Sequence, residues 1–150
     1  NIAAGLATLD PKKITFVEAE SSKVGERLIP PSLWALMAEA PRIQITAALE
    51  ARSIFLCRAY SDLTQDKTAL SKLLDKLRPY HSGERIDEWH AQAQTKDWQT
   101  LAAGLITDHY DPRYAKSTAI KNQAVFRIEL PDLEESTLSQ TAGELHAQFS

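Results

Sequence analysis

The sequence predicts an α/β fold: a partial parallel sheet with crossover helices and a helical insertion over about residues 66–109. Three observations carry this. Short β-branched runs alternate with helical stretches through the first third of the chain, the order strand, helix, strand, helix that implies parallel strands. The middle repeats leucine at helical spacing, at Leu70, Leu73, Leu74 and Leu77, with no strand pattern. A last β-rich run and a capped helix then close the chain.

In order, Ile2-Ala3-Ala4-Gly5-Leu6-Ala7 reads as a helix that stops before Pro11, since the residue preceding proline is pushed out of helical geometry. Ile14-Thr15-Phe16-Val17 reads as a buried strand. The polar loop from Glu18 to Gly25 follows it, and Pro30-Pro31-Ser32 opens a helix through Leu33-Trp34-Ala35-Leu36-Met37 that Pro41 closes. Ile43-Gln44-Ile45-Thr46 is the second strand, running into an amphipathic helix from about Ala48 to Leu63. The leucine-rich helix ends at Pro79; Ile86, Trp89 and Ala93 mark the next, and Trp98, Leu101, Ala102, Leu105 and Ile106 a third. Ala124 to Leu130 is the last strand. Asp132 with Glu135 is a capping-box variant that opens a helix to about Gln148.

Composition narrows the function classes. The chain has 150 residues, 43% hydrophobic and 25% charged, with a formal net charge of −3. That balance lacks the basic footprint of a free-standing nucleic-acid binder, so any RNA contact must come from a local patch. The single cysteine, Cys57, sits in an apolar run and can form neither an internal disulfide nor a multi-thiolate zinc site, which points to a reducing, cytoplasmic setting. No run of residues is long and apolar enough for a membrane span. The opening residue is Asn1 and not methionine, as expected of a processed protein or, with more weight, an excised domain.

A parallel sheet carries its functional groups just past the carboxyl ends of its strands. After the first strand, Glu18 and Glu20 are placed to hold a cation or water, and Ser21, Ser22 and Lys23 to meet phosphate; the plain alternative is a solvated loop with a capping serine. After the second strand, Arg52 lies in the first turns of a helix, where its charge opposes the dipole, as happens when an arginine serves a phosphate or carboxylate. The plain alternative there is a salt bridge to Glu50 or Glu18. The run His109-Tyr110-Asp111-Pro112-Arg113-Tyr114 is either an aromatic and cationic face for nucleotides or a packed corner, with Lys116, Lys121 and Arg127 adding positive charge nearby. His81, His90 and Glu88 lack metal-motif spacing, and the scattered glycines form no G-x-x-x-x-G-K-[ST] loop, which excludes an autonomous P-loop enzyme.

Phe16 to Gly25, Ile29-Pro30, Leu33 to Met37 and Ala40-Pro41 resemble the part of tRNA 2-selenouridine synthase that follows its phosphate loop. Ala48-Leu49-Glu50-Ala51-Arg52 with Ala59-Tyr60, then His109 to Tyr114 with Lys116-Ser117, resemble that family's next segments, its Y-D-P-x-Y signature included, in the expected order to about Phe126. The resemblance implies the distal part of a P-loop-type domain, beyond both the Walker A loop and an N-terminal rhodanese-like domain carrying the catalytic cysteine, which Cys57 does not match. It implies a parent transferase that converts wobble 2-thiouridine of tRNA to 2-selenouridine through a geranylated intermediate, using geranyl diphosphate and selenophosphate.

On that resemblance this segment supplies no catalytic residue, metal site or cofactor of its own. Glu18, Glu20, Ser21, Lys23, Arg52, Tyr110, Arg113 and Tyr114 are its expected phosphate and tRNA contacts. Its expected partners are tRNA, the rhodanese-like domain and, where sheet edges need covering, a second copy. One departure is Ser22-Lys23 where the family commonly has arginine: lysine keeps the charge and loses the bidentate fork. The rival readings are another P-loop nucleotide-dependent enzyme, such as a small-molecule kinase, and a non-catalytic binding module.

Overall fold

The computed structural model describes residues 2–18, 21–118 and 126–149, and the side chains within them except at 2, 3, 24 and 116–118. Helix α1 (Ile2–Ala7) precedes a two-residue-per-strand hairpin, β1 (Lys23–Val24) and β2 (Arg27–Leu28), paired antiparallel around Gly25. Gly25 has φ +59°, the left-handed geometry that a tight hairpin turn needs and a side chain disfavours. Pro31 is the first residue of α2 (Pro31–Glu39), where a missing N–H costs no bond; the helix ends as Ala40 becomes extended before Pro41.

Strand β3 (Ile43–Ala47) pairs in parallel with β4 (Phe126–Leu130), from Ile43 opposite Phe126 to Ala47 opposite Leu130. Parallel strands need a crossover, and here the crossover is the whole helical middle of the chain. It runs through α3 (Leu49–Ala59), α4 (Ser61–Gln65), α5 (Lys67–Asp75), a 3₁₀ turn (Arg78–Tyr80), α6 (Gly83–Thr95), α7 (Trp98–Leu105), a π-helical turn (Ile106–Tyr110) and α8 (Asp111–Thr118). Helix α9 (Glu135–Phe149) follows β4. Short polar residues start the middle helices. The Asp66 carboxylate accepts from the N–H groups of Thr68 and Ala69, Ser82 from Arg85, and Asp97 from Thr100. Asp132 Oδ1 likewise accepts from the Glu134 N–H at 3.0 Å just ahead of α9.

The main buried cluster lies in these helices, and of the two paired strands β3 and β4 only Leu130 is buried. Leu70 and Leu74 of α5, Ile86 and Trp89 of α6 and Leu101 of α7 form one buried cluster, with Leu63, Leu77, Ala93, Trp98 and Leu105 packed around it. Leu74, Ile86 and Trp89 are fully buried. Helix α7 approaches Trp89 closely because residue 104 is glycine: a Cβ there would sit 2.9 Å from Trp89 Nε1 and 3.2 Å from Arg85 Nη2. The Arg85 guanidinium lies 5.5 Å from the Trp89 ring centre, covering it on that side.

Two expectations need correcting. Residues 14–17 form no strand: Ile14, Phe16 and Val17 are all at least half exposed, and no strand among the described residues runs alongside to take their backbone hydrogen bonds. Phe16 instead sets its ring edge-on to Phe149 of α9, 6.1 Å between centres. The single helix expected from Ala48 to Leu63 is two, broken at Tyr60, whose φ of −112° and ψ of 28° end α3. Ala124 and Val125 of the expected last strand lie outside the described residues.

Truncating the core tests where stability resides. Leu74→Ala is expected to lower unfolding free energy by about 2–5 kcal/mol in urea titrations. Two glycines should respond with opposite signs. Gly143→Ala, in open space on α9, is expected to stabilise by roughly 0.5–1 kcal/mol through helix propensity. Gly104→Ala should be net destabilising by about 1 kcal/mol, because overpacking against the immovable Trp89 outweighs the same gain.

Candidate phosphate and nucleic-acid interface

Arg52 lies one turn into α3, directly after β3, and reaches across to the first residue of α8. Its Nη1 and Nη2 donate to the two carboxylate oxygens of Asp111 at 2.9 and 2.5 Å, a bidentate fork. The Arg52 hydrogen bonds hold the Asp111 carboxyl below its ordinary range, and Asp111 raises the guanidinium in return. Both side chains are more than a third exposed, so the pair contributes only about 1 kcal/mol to folding. Its larger effect is geometric. It aims the guanidinium and ties α3 to the Tyr110–Tyr114 segment. The partner is therefore Asp111, and neither Glu50 nor Glu18.

The π-helical turn shapes that segment. The Asp111 N–H bonds back to the Ile106 carbonyl, five residues earlier, and this wider turn joins α7 to α8. His109 points inward and is buried, while Tyr110 and Tyr114 stay nearly half exposed. The run thus has a buried side at His109 and an exposed side at Tyr110 and Tyr114. His109 Nδ1 lies 2.9 Å from His81 Nε2, and His109 Nε2 lies 3.3 Å from Arg113 Nη1. The Arg113 guanidinium rests over the Tyr80 ring at 4.3 Å, and His81 meets Trp89 edge-on at 4.9 Å. Burial pushes His109 below the ordinary histidine range, with Arg113 and His81 adding to the effect.

Between α3, α4, α5 and α7 runs a cleft of about 600 Å³, within the range of ligand pockets. Phe55, Leu56, Leu73, Leu101 and Leu105 contribute to an almost wholly apolar wall. Arg52 is the one charged residue that lines it among the described residues, joined by the tyrosines Tyr110 and Tyr114. Cys57 also lines the cleft, and burial raises its thiol above the usual range, leaving it protonated and a poor nucleophile.

Of the expected site residues, Arg52, Tyr110 and Tyr114 share this cleft, and Arg113 sits on the neighbouring His109 face. Ser21 and Lys23 lie apart on the hairpin, where Ser21 Oγ accepts from the Lys23 N–H at 3.0 Å. Among the described residues no hydrogen bond or ion pair joins Glu18, Ser21 or Lys23 to Arg52, Tyr110 or Arg113. Glu20 lies outside the described residues. No group of three His, Cys, Asp or Glu side chains among those described is placed to hold a metal, and no helix is long and apolar enough to cross a membrane. Sequence reasoning missed Asp111 as the orienter of Arg52, His81 as the partner of His109, and the cleft. Its wall residues were legible only as apolar helix positions.

A family model described as tRNA 2-selenouridine synthase AAA domain matches residues 3–78, just over half of the chain. The chain belongs to this family. The matched stretch carries Glu18, Ser21, Lys23 and Arg52, while the His109–Tyr114 run lies beyond it. Membership makes the chain a segment of a tRNA-modifying protein, and its helix-rich α/β architecture with a small parallel sheet fits an AAA-type domain. Comparison with curated proteins and with solved structures gave no match.

The titrating groups predict a two-step loss of stability in acid. With its native value lowered, His109 favours folding fully above its ordinary value of 6.5, and that contribution is lost as pH falls from there toward the native value. Asp111 contributes above 3.8 and its share is lost as pH falls through its lower native value, together with those of Asp75 and Asp132. Urea midpoints measured from pH 8 to 3 should show both steps. His109→Gln should remove the upper one and leave the lower.

Proposed function

We propose that the chain is the distal part of the P-loop-type domain of a cytoplasmic transferase that converts wobble 2-thiouridine of tRNA to 2-selenouridine through a geranylated intermediate, with α5 through the π turn as a helical insertion. The observation that carries this reading is an apolar cleft whose only described charged residue is an arginine already aimed by a carboxylate. A cleft of that kind suits an amphiphile with an apolar tail and an anionic head. Geranyl diphosphate has that form. Its chain would lie among Phe55, Leu101 and Leu105, gaining about 0.8 kcal/mol per buried methylene.

The diphosphate would meet Arg52. Asp111 engages two of the five guanidinium N–H donors, which leaves three for phosphate oxygens. When the thiouridine sulfur attacks the first carbon of the chain, the C–O bond breaks and charge grows on the departing diphosphate. A fixed guanidinium stabilises that charge more than it stabilises the bound substrate. Ser21 and Lys23, apart on the hairpin, would meet phosphate of the tRNA backbone or of the diphosphate, with Glu18 and Glu20 organising a cation or water there. Tyr110, Tyr114 and Arg113 present an aromatic and cationic face to tRNA. Selenophosphate supplies the selenium, and a rhodanese-like domain of the same polypeptide supplies the reactive cysteine.

Geranyl diphosphate binding, followed by calorimetry in the presence of a 2-thiouridine tRNA, tests the cleft. Arg52→Ala should weaken binding about 10- to 100-fold, the range for a hydrogen bond to a charged group. Cys57→Phe, which fills the cleft and leaves Arg52 in place, should weaken geranyl diphosphate and spare inorganic diphosphate. Unchanged affinity in Arg52→Ala would remove this residue from the site. ATP turnover without tRNA would instead favour a small-molecule kinase.

A further inference from the structure

Arg113 carries a charge that its surroundings do not balance. Its guanidinium is exposed, stacks on Tyr80 and donates to His109 Nε2, and among the described residues no carboxylate lies within ion-pair distance of it. The two neighbouring acids are already engaged, Asp108 by Arg85 and Asp111 by Arg52. Helix α7 brings no ionisable side chain to the turn. The groups facing His109 are Tyr80, His81, Tyr110 and Arg113, none of them a carboxylate.

The hydrogen-bond chain fixes where protons sit. Arginine only donates, so His109 Nε2 must offer a lone pair, and the His109 proton is then on Nδ1. That proton is donated to His81 Nε2, which accepts. A second proton on His109 would set an N–H against the Arg113 N–H and break their contact. The present arrangement therefore holds His109 neutral for as long as Arg113 leans on it.

We propose that Tyr80, His81, His109 and Arg113 form a proton-linked site for an RNA backbone phosphate, in which a phosphodiester taken by Arg113 is accompanied by uptake of one proton on His109. The phosphate oxygens accept from both the guanidinium and the newly protonated Nε2, replacing one contact from the guanidinium to a neutral imidazole by two charge-assisted bonds to one anion. The site is separate from the apolar cleft, which neither Arg113 nor His109 lines, so its anion is not the head group of a molecule seated there. Burial and the nearby positive charge already hold His109 below its ordinary range, which leaves room for an anion to raise it. By linkage, a phosphate that favours the proton is itself favoured by the proton. This inference rests on the reading of Arg113 as an RNA contact and adds the histidine pair and the pH dependence.

The test is binding of a ten-nucleotide oligouridylate, whose bases and phosphodiesters do not titrate in the range, to the chain at fixed ionic strength from pH 7.5 to 5.5. Affinity should rise roughly 3- to 10-fold on acidification, as expected for one linked proton. His109→Gln should bind with flat pH dependence, and Arg113→Gln should lose most of the binding. Should His109→Gln not fold, nitrogen NMR of the wild-type His109 ring serves instead, and its titration midpoint should move up when the oligonucleotide is added. Binding with no pH dependence, or a dependence that persists in His109→Gln, overturns the proton linkage and leaves the RNA face standing. No binding at any pH overturns both. A midpoint raised by millimolar sulfate, with no oligouridylate bound, overturns RNA as the ligand.

Discussion

The burial of Trp89 between α6 and α7 is the constraint on which the rest of this molecule depends. A parallel pair of five-residue strands cannot stand alone in water, and the faces of β3 and β4 are only lightly covered. The helices that cross from one strand to the other hold the main buried cluster, and they fix the geometry of the Arg52 cleft and of the His109 turn. Trp89 meets the bare backbone at Gly104 and the Arg85 guanidinium, which itself lies close to Gly104, and makes an edge-on contact with His81. Through His81 the same indole supports His109, and through α7 it sets the position of the π turn.

That arrangement gives the turn two faces with different work. The outer residues Tyr110 and Tyr114 line a cleft with Arg52, whereas His109 and Arg113 turn toward Tyr80 and His81. Consecutive helical side chains point about 100° apart, which lets His109 and Arg113 serve one set of neighbours and Tyr110 and Tyr114 another. Asp111, between them, is spent on Arg52. The pair is worth little as stability and much as position, because a two-point fork restricts the guanidinium as a single bond does not.

Family membership and physical reading meet at Arg52. The matched region ends at residue 78, so the family comparison speaks to the strand-end arginine and the hairpin but not to the carboxylate that orients it. The fork bridges the matched and unmatched halves, joining α3 to α8 across 59 residues of sequence.

Most helices were legible from the sequence, since their caps and breakers act locally. Pro31 and Asp132 mark starts that the structure keeps, and the apolar spacing between Leu70 and Ile106 marks the helices that Asp66, Ser82 and Asp97 cap. That Ile43–Ala47 and Phe126–Leu130 would be parallel strands was also legible, because β-branched runs separated by helices imply crossovers, whereas their being neighbours was not. Ile14–Val17 has the same local character yet forms no strand, since a ladder needs a neighbour and strand propensity cannot supply one. The sequence by itself determined most of the helical elements, the two strands that pair and the family. Only the tertiary structure decided that Arg52 would face Asp111, that His81 would meet His109, and that the leucines of the middle helices would wall a cleft. Each of those depends on side chains from distant parts of the chain being held at contact distance, and that spacing is set by packing.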